Sequence, residues 1–347
     1  MKNYWLKRLF LIPVTLFGIM ALNFALIQIT PGGPVEHMII KMQGTTSSAE
    51  TGGVADSRQK AFTEQMRDEL NRQFGFDKPL LSRFSDMLKN YASFNFGKSF
   101  YQDKTVLQLI KEKMPVSLSL GIFSTLFIYL IAIPLGIKKA VHAGSKFDKR
   151  TTFVLTVAYA IPAFLLAIFF VIFFAGGHYL NLFPLRGLVS ENWSELSMFG
   201  KITDYLWHIT LPVLSISLGG VAGLCFLTRN SFLDELSKAY VLTAKAKGCS
   251  EKRYLYGHVF RNAMLLVLAG FPAMLIGMLF TGSMLIEVVF SLDGLGLLGY
   301  EALQNRDYPV VFGSLYLFAL LGLVLNVLSD FIYTLVDPRI HFKGRTQ

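Results

Sequence analysis

Long apolar runs alternate with polar segments along this chain of 347 residues. A helix needs about 20 apolar residues to cross a membrane, and six runs meet that length. The pattern predicts transmembrane helices over Leu9–Ile29, Val116–Ile137, Thr152–Ala175, Ile209–Thr228, Met264–Val289 and Val311–Leu335. Hydrophobic residues make up 53% of the chain and charged residues only 16%, which excludes a soluble globular protein. The sequence therefore predicts an all-α polytopic membrane protein with six transmembrane helices.

Lysine and arginine gather in alternate polar segments, and this asymmetry predicts the orientation in the membrane. They concentrate at both termini, in the segment after the second span and in the segment after the fourth. Cytoplasmic segments carry this excess in membrane proteins, so both termini are expected in the cytoplasm. The net charge of +10 is then a signal of topology, and no nucleic-acid partner is needed to explain it.

The polar segment after the first span is long enough to form a large outer loop. Apolar residues recur every three or four positions in three stretches, and this spacing predicts short amphipathic helices around residues 62–74, 80–91 and 106–110. The predicted organisation is a terminal tail with the first span over 1–29, a periplasmic loop over 30–115, and a five-helix core over 116–347.

The polar segment over 229–262 lies between the fourth and fifth spans. Ser231, followed by acidic residues three and four positions later, is typical of a helix N-cap. Phe232, Leu236 and Tyr240 then fall at helical spacing on one predicted face. Gly248 suits the left-handed position that ends a helix.

A second helix is predicted after that glycine, capped by Ser250 and running through Tyr254 to Phe260. The segment is thus expected to form a helix, a glycine turn and a second helix outside the bilayer. Ala244, Ala246 and Gly248 would leave almost no side chain between this backbone and a docked partner. A solvated connecting loop is the alternative interpretation of the same pattern.

Signatures of enzymes and of nucleotide binding give no support for a catalytic chain. The sequence has no G-x-x-x-x-G-K-[ST] loop, no H-E-x-x-H pair and no G-x-S-x-G elbow. Residues 294–299 match G-x-G-x-x-G, but they follow a predicted membrane helix, so the glycines are expected to let a short outer segment fold back. Glu287 and Asp330 lie inside predicted spans, where an ionisable group marks either a functional site or a structural pairing.

Several motifs resemble the dipeptide and oligopeptide branch of the ABC importer permeases. These motifs are Thr243-Ala244-Lys245-Ala246-Lys247-Gly248, Arg261-Asn262-Ala263, Pro31-Gly32-Gly33-Pro34 and Val336-Asp337-Pro338-Arg339-Ile340. The first two resemble the cytoplasmic coupling loop of that family, which docks on an ATPase subunit. The chain departs from the general family pattern at Leu242 and Thr243, where Glu and Ala are usual, and at Gly33, where Asp is usual.

The resemblance implies a type I ABC importer permease fold in a bacterial inner membrane, with no catalytic site on this chain. It implies four kinds of partner: a second homologous permease, a cytoplasmic ATPase that holds ATP and Mg, a periplasmic peptide-binding protein, and membrane lipid. The implied ATPase-coupling residues are Tyr240, Thr243, Ala244, Ala246, Lys247, Gly248, Arg261 and Asn262. The nearest subgroup is associated with uptake of peptides and of peptide-like antibiotics of the microcin C type.

Other function classes remain open at this point. A permease of the same family could carry another solute, such as nickel or an oligosaccharide. A secondary transporter would need ion-coupling groups near the midplane and usually internal repeats, and neither is evident. A membrane-embedded enzyme would need a catalytic constellation, and the sequence offers none.

Overall fold

The computed structural model describes residues 2–29, 78–176, 179–271, 274, 277 and 284–336. The helices within these residues are α1 (Lys2–Ile29), α2 (Leu80–Ala92), α3 (Val106–Val141), α4 (Lys146–Ala160), α5 (Ala163–Phe170), α6 (Met198–Leu236), α7 (Ala239–Ala246), α8 (Glu251–Tyr254), α9 (Phe260–Ala269), α10 (Met284–Val289), α11 (Leu295–Gln304) and α12 (Tyr308–Val336). A π turn follows α5 over Val171–Ala175, another follows α8 over Leu255–Val259, and a 3₁₀ turn covers Trp193–Glu195. The prediction of an all-α protein is confirmed.

Among the described residues, four continuous helices are long and apolar enough to cross a membrane. They are α1, α3, α6 and α12, and the α4–α5 pair forms a further candidate that is sharply bent. The predicted span over Met264–Val289 has α9 and α10 at its two ends, while most of its centre lies outside the described residues. The number of six spans and the cytoplasmic placement of both termini therefore stay predictions.

The third predicted span, Thr152–Ala175, is broken, and its continuity was wrongly predicted. Its two helices meet at an angle of 92°. Ile161 is extended, with φ −84° and ψ 122°, because the ring of Pro162 disfavours helical backbone in the residue before it. Proline also lacks the N–H that would continue the helix. Pro134 and Pro212, by contrast, lie inside α3 and α6 without ending them.

Two compact units can be distinguished, and the described residues of the larger one lie within 113–298 and 322–336. One of its apolar clusters joins α3 and α6 with α7 and α9, and Phe232 and Val241 are fully buried there. The close approach between α3 and α6 occurs at Gly136, where a Cβ would lie 2.7 Å from Cβ of Thr228. Gly219 and Gly223 of α6 are less tightly packed, because a Cβ at Gly219 would meet no described atom within 4 Å and one at Gly223 would lie 3.9 Å from Cε2 of Tyr159.

Glu287, at the end of α10, organises the turn that leads into α11. Its carboxylate is fully buried and accepts hydrogen bonds from the Leu297 N–H at 2.7 Å and the Ser117 hydroxyl at 3.0 Å. A Cβ at Gly294 would overlap this carboxylate, and a Cβ at Gly296 would lie 2.8 Å from Cα of Met284. Glu287 therefore has the structural role, and the glycines let the segment fold back as the sequence predicted.

Within the described residues, the smaller unit comprises 2–29, 78–112 and 299–321. Its amphipathic helix α2 confirms the second predicted stripe and packs on α1, with Phe84 in ring contact with Phe17 and Phe24. The third predicted short helix is not separate, because residues 106–110 form the first turns of α3 and the helix continues through Pro115. The first stripe, over 62–74, lies outside the described residues.

An aromatic cluster and a buried carboxylate hold the connection around residues 91–100 in the smaller unit. Tyr91, Phe96 and Tyr316 pack edge to face or tilted, and burial raises the pKa of Tyr91 to about 12. Asp307 is buried and accepts hydrogen bonds from the Ser99 hydroxyl and from the Phe100 N–H. Burial raises the pKa of Asp307 even though these bonds act in the opposite direction.

Candidate functional site

The polar stretch over 231–262, here called the turn segment, begins inside α6. Ser231 is a buried residue within that helix, and its hydroxyl donates to the Ala263 carbonyl at 2.7 Å. The predicted N-cap at Ser231 was therefore wrong. No glycine or proline interrupts the chain just before Ser231, so the apolar helix continues and the hydroxyl is satisfied by the neighbouring helix.

The helix ends at Leu236, eight residues beyond the predicted end of the fourth span at Thr228. Lys238 adopts an extended conformation with φ −76° and ψ 149°, and α7 starts at Ala239. Because of this break, Tyr240 does not continue the face of Phe232 and Leu236, which corrects the predicted stripe. The Ser237 hydroxyl, which donates to the Asp234 carbonyl at 2.8 Å, helps to end α6.

Gly248 ends α7 in the left-handed conformation that the sequence predicted, with φ +76°. The Gly248 N–H donates to the Lys245 carbonyl at 2.9 Å, and the Cys249 N–H donates to the Ala244 carbonyl at 3.1 Å. This pair of bonds is a Schellman motif, which satisfies the last carbonyls of a helix. A Cβ at position 248 would meet no described atom within 4 Å, so only the backbone conformation demands glycine.

The second helix begins where the sequence predicted. Ser250 occupies the N-cap position with extended backbone, and its carbonyl accepts from the Arg253 N–H at 3.0 Å, although its side chain makes no capping bond. The short helix α8 then passes through the π turn into α9. Leu255 and Val259 are buried in the same hydrophobic cluster as Val241. The helices before and after Gly248 therefore pack on one apolar core.

The opposite side of the turn segment is exposed. Of the predicted coupling residues, Thr243, Ala246, Lys247, Gly248 and Arg261 are exposed and Ala244 is half-buried. Leu242 and Tyr256 add two large side chains that are 63% and 54% exposed. Exposed large apolar residues beside small ones are typical of a surface that a partner covers.

The other two predicted residues are Tyr240, which is half-buried, and Asn262, which is exposed, and they meet beside a buried carboxylate. The Tyr240 hydroxyl donates to Oε2 of Glu235 at 2.7 Å and lies 3.4 Å from Nδ2 of Asn262. Lys238 pairs with Oε1 of the same carboxylate. Burial, followed by the bond to Glu235, raises the pKa of Tyr240, so the phenol stays a hydrogen-bond donor at neutral pH.

A second polar network, which was not predicted, lies where α3, α4 and α6 approach one another. Arg229 donates to both oxygens of Asp148, from Nε at 2.9 Å and from a terminal nitrogen at 2.7 Å. Lys139 is completely buried and pairs with the same carboxylate at 3.0 Å. Its ammonium also donates to the hydroxyls of Thr151 and Thr152.

The ion pairs that Glu235 and Asp148 form with basic residues were not predicted from the sequence. The basic residues of this network were interpreted only as indicators of the orientation of the chain in the membrane. Glu235 was interpreted as part of a helix cap. Arg229 and Asp148 are 81 positions apart, so no local spacing could have paired them. A lysine or glutamate set among apolar residues near the end of a long apolar run was the available signal.

The described residues contain no group of three or more His, Cys, Asp or Glu side chains that could hold a metal ion. The two cysteines, Cys225 and Cys249, are free. The polar chemistry of the turn segment is therefore that of hydrogen bonds and ion pairs between helices.

Comparisons with known proteins identify the family. Residues 132–342 match the family described as "Binding-protein-dependent transport system inner membrane component". The chain is 54% identical to the inner membrane ABC transporter permease protein YejB of Escherichia coli O157:H7, over 99% of this chain and 100% of that protein. It is 50% identical to the peptidoglycan transport system permease protein YejB of Agrobacterium fabrum, again over 99% and 100%.

A more distant relative and a solved structure agree with this assignment. The oligopeptide transport system permease protein AppB of Bacillus subtilis is 31% identical over 99% of this chain and 100% of its own. A structure of the MetNI methionine ABC transporter in an inward-facing conformation superposes with a TM-score of 0.53 at 16% identity, covering 67% of this chain and 97% of that one. That likeness concerns the fold alone. By its sequence and its fold, the chain belongs to the family of binding-protein-dependent transport system inner membrane components.

Proposed function

We propose that the chain is the transmembrane permease subunit of an ATP-driven, binding-protein-dependent importer of peptides. The observation that carries the proposal is the turn segment, in which a glycine-ended helix pair joins two apolar helices and leaves one side exposed. Full-length similarity to relatives described as ABC, peptidoglycan and oligopeptide transport permeases supports peptides as the substrate class.

In this proposal the exposed side of the turn segment docks on a cytoplasmic ATPase. Thr243, Ala246 and Gly248 allow close approach of the backbone, and Leu242 and Tyr256 supply apolar area for the contact. The buried side, with Val241, moves together with α6 and α9 because all three share one core. ATP-driven movement of the ATPase would then turn the helices of the bundle between inward-open and outward-open arrangements.

The chain is proposed to have no catalytic site and no cofactor of its own. ATP and Mg belong to the partner ATPase in this scheme, because the sequence has no phosphate-binding loop. A second homologous permease would complete the translocation pathway, and a periplasmic binding protein would deliver the peptide. Membrane lipid would cover the exposed apolar faces of α1 and α4, on which Phe10 and Phe153 are about 70% exposed (69% and 71%).

Fragments of peptidoglycan are a second substrate candidate. The relative in Agrobacterium fabrum, which is 50% identical, is described as a peptidoglycan transport system permease. Such fragments carry short peptides, so one pathway could accept both classes.

Uptake of labelled substrates by cells tests the proposal. Cells that lack the gene should lose ATP-dependent uptake of a labelled oligopeptide or of a labelled muropeptide, and the restored gene should recover it. The purified chain, free of partner subunits, should hydrolyse no ATP. Hydrolysis by the pure chain, or uptake of both substrates that is independent of the gene, would contradict the proposed function.

A further inference from the structure

We propose that Glu235 is a positioning residue that fixes the orientation of α7 relative to α6 and α9, and so transmits movement through the turn segment. The proposal rests on the proposed function. It separates residues that hold the coupling helix from residues that form its exposed surface, and Glu235 is not among the residues that the family motif points to.

The backbone between α6 and α7 does not by itself fix the angle of α7. Only Ser237 and Lys238 separate the two helices, and Lys238 is extended. The N–H of Val241 donates to the Lys238 carbonyl, which closes the first turn of α7 without reaching back to α6. Something beyond the main chain must therefore select one orientation.

The Glu235 carboxylate makes the missing connection from the last turn of α6. Its side chain is only 12% exposed, and a buried carboxylate needs partners for both oxygens. Lys238, in the break, takes one oxygen, and Tyr240, in the first turn of α7, takes the other. Glu235, in α6, therefore contacts both the break and the first turn of α7, and these two contacts fix the position of α7.

Asn262 extends the same contact to the third helix. Its amide lies 3.4 Å from the Tyr240 hydroxyl and belongs to α9, which leads into the next apolar segment. Glu235, Tyr240 and Asn262 therefore link the three helices that meet at the turn segment. A push on the exposed side of α7 reaches α6 and α9 through polar contacts as well as through the shared apolar core.

The chemistry of glutamate makes the role testable with small changes. A carboxylate has two acceptor oxygens, whereas the amide of glutamine has one acceptor oxygen and one donor nitrogen. Glu235→Gln therefore places a donor nitrogen where either Lys238 or Tyr240 now finds an acceptor oxygen, although the size of the side chain is nearly unchanged. Tyr240→Phe removes a single oxygen and leaves the ring in place. Asp234→Asn is the matched control, because Asp234 is the exposed neighbouring carboxylate.

The experiment uses the full chain in lipid nanodiscs with its partner permease, ATPase and binding protein. Spin labels at Leu227→Cys on α6 and Ala239→Cys on α7, in a background with Cys225→Ser and Cys249→Ser, report the distance distribution between the two helices. Ala239 is exposed and lies outside the proposed docking surface. Retention of the ATPase on purification and the number of peptides transported per ATP hydrolysed are measured on the same Glu235 and Tyr240 variants without the labels.

We expect Glu235→Gln and Tyr240→Phe to broaden the distance distribution and to retain the ATPase. Peptides transported per ATP should fall by about fivefold or more, the lower end of typical coupling between sites. The double variant should be little worse than either single one, because both changes break one contact. Asp234→Asn should match the wild type.

Wild-type distance distributions and wild-type transport per ATP in both variants would overturn the proposal. If Glu235→Gln reduces the yield of folded protein, Tyr240→Phe alone decides, since it removes only one hydroxyl. Absence of the ATPase from the purified wild-type chain would overturn the proposed function instead, and the distance distributions would still decide whether Glu235 holds α7.

Discussion

Two buried carboxylates, Glu235 and Glu287, each govern a turn between helices in the larger unit, and they do so with different partners. Glu287 is held by a backbone N–H and by a serine hydroxyl, with glycine at both positions where a side chain would intrude. Glu235 is held by the side chains of Lys238 and Tyr240. The first turn is fixed by a main-chain N–H and one short side chain, and the second by two long side chains that can rotate.

The difference has a physical consequence for movement. Contacts to backbone groups persist unless the fold itself changes, because breaking them leaves buried polar groups unpaired. Contacts between long side chains can be released and formed again when the helices shift. The Glu287 turn therefore suits a fixed support, and the Glu235 turn suits a joint that transmits motion.

The largest expected effect comes from filling the space beside Glu287. In Gly296→Ala the new Cβ would lie 2.8 Å from Cα and 2.9 Å from N of Met284, so backbone must shift. Overpacking of this kind costs about 1–3 kcal/mol. We expect a lower melting temperature and a lower yield in the membrane fraction, measured by size-exclusion chromatography after heating.

Gly299→Ala is the matched control for that change. It lies in the same helix α11, and a Cβ there would meet no described atom within 4 Å. A substitution of this kind in a helix is expected to be neutral or to stabilise by about 0.4–1 kcal/mol. Equal stability of the two variants would show that the Glu287 turn is not tightly packed. It would contradict the claim that this turn is a fixed support, unlike the Glu235 turn.

An intermediate effect is expected from Gly248→Val. This variant tests the turn segment, which contains Glu235 and is proposed to transmit motion. Left-handed backbone costs a residue with a side chain about 1–2 kcal/mol, and a β-branched residue is worse suited still. Expression and membrane insertion should stay near normal, because the surrounding space is open. Peptide uptake and retention of the ATPase should fall by roughly tenfold, as such an energy implies.

Two further variants serve as a second test and as a control for Gly248→Val. Ala244→Asp should also reduce uptake and ATPase retention, since it would bury an unpaired charge at the proposed contact. Lys252→Gln, at an exposed position of α8, should be milder. Normal uptake and ATPase retention in both Gly248→Val and Ala244→Asp would mean that the turn segment is only a solvated loop.

The smallest effect concerns Asp307, a buried carboxylate of the smaller unit, whose pKa is raised by burial. A carboxyl whose native pKa is raised binds its proton more tightly folded than unfolded, so stability falls as pH rises above about 4, the unfolded value. Asp307→Asn should remove this contribution and flatten the decline in melting temperature between acidic and neutral pH. An unchanged pH profile would contradict the assignment.

Local sequence signals predicted the helices well where one segment determines its own structure. The apolar runs marked α1, α3, α6 and α12, and the stripe over 80–91 marked α2. Gly248 was predicted correctly because its left-handed backbone follows from residues within one turn of it. These features depend on periodicity and on backbone sterics, which are properties of neighbouring residues.

Signals that compete with tertiary contacts were less informative. Ser231 has the sequence of a cap, yet it lies inside a helix because the Ala263 carbonyl satisfies its hydroxyl. Pro162 breaks a span while Pro134 and Pro212 do not, although all three give the same local signal. Asp148 is paired with Arg229, which is 81 positions away on another helix, so only the fold could reveal that pair. Glu235 meets Lys238 and Tyr240 because α6 ends at Leu236, and the sequence did not predict that end.

The bend at Pro162 has a consequence for the thickness of the surrounding bilayer. At 1.5 Å per residue, α4 is about 22 Å long, and α5 with its π turn is about 20 Å long. The hydrocarbon core is about 30 Å thick, and two arms that meet at 92° cannot both lie along the membrane normal. The bilayer must thin beside this pair, or another subunit must cover it, so the neighbourhood of Pro162 is where lipid thickness should affect this protein most strongly.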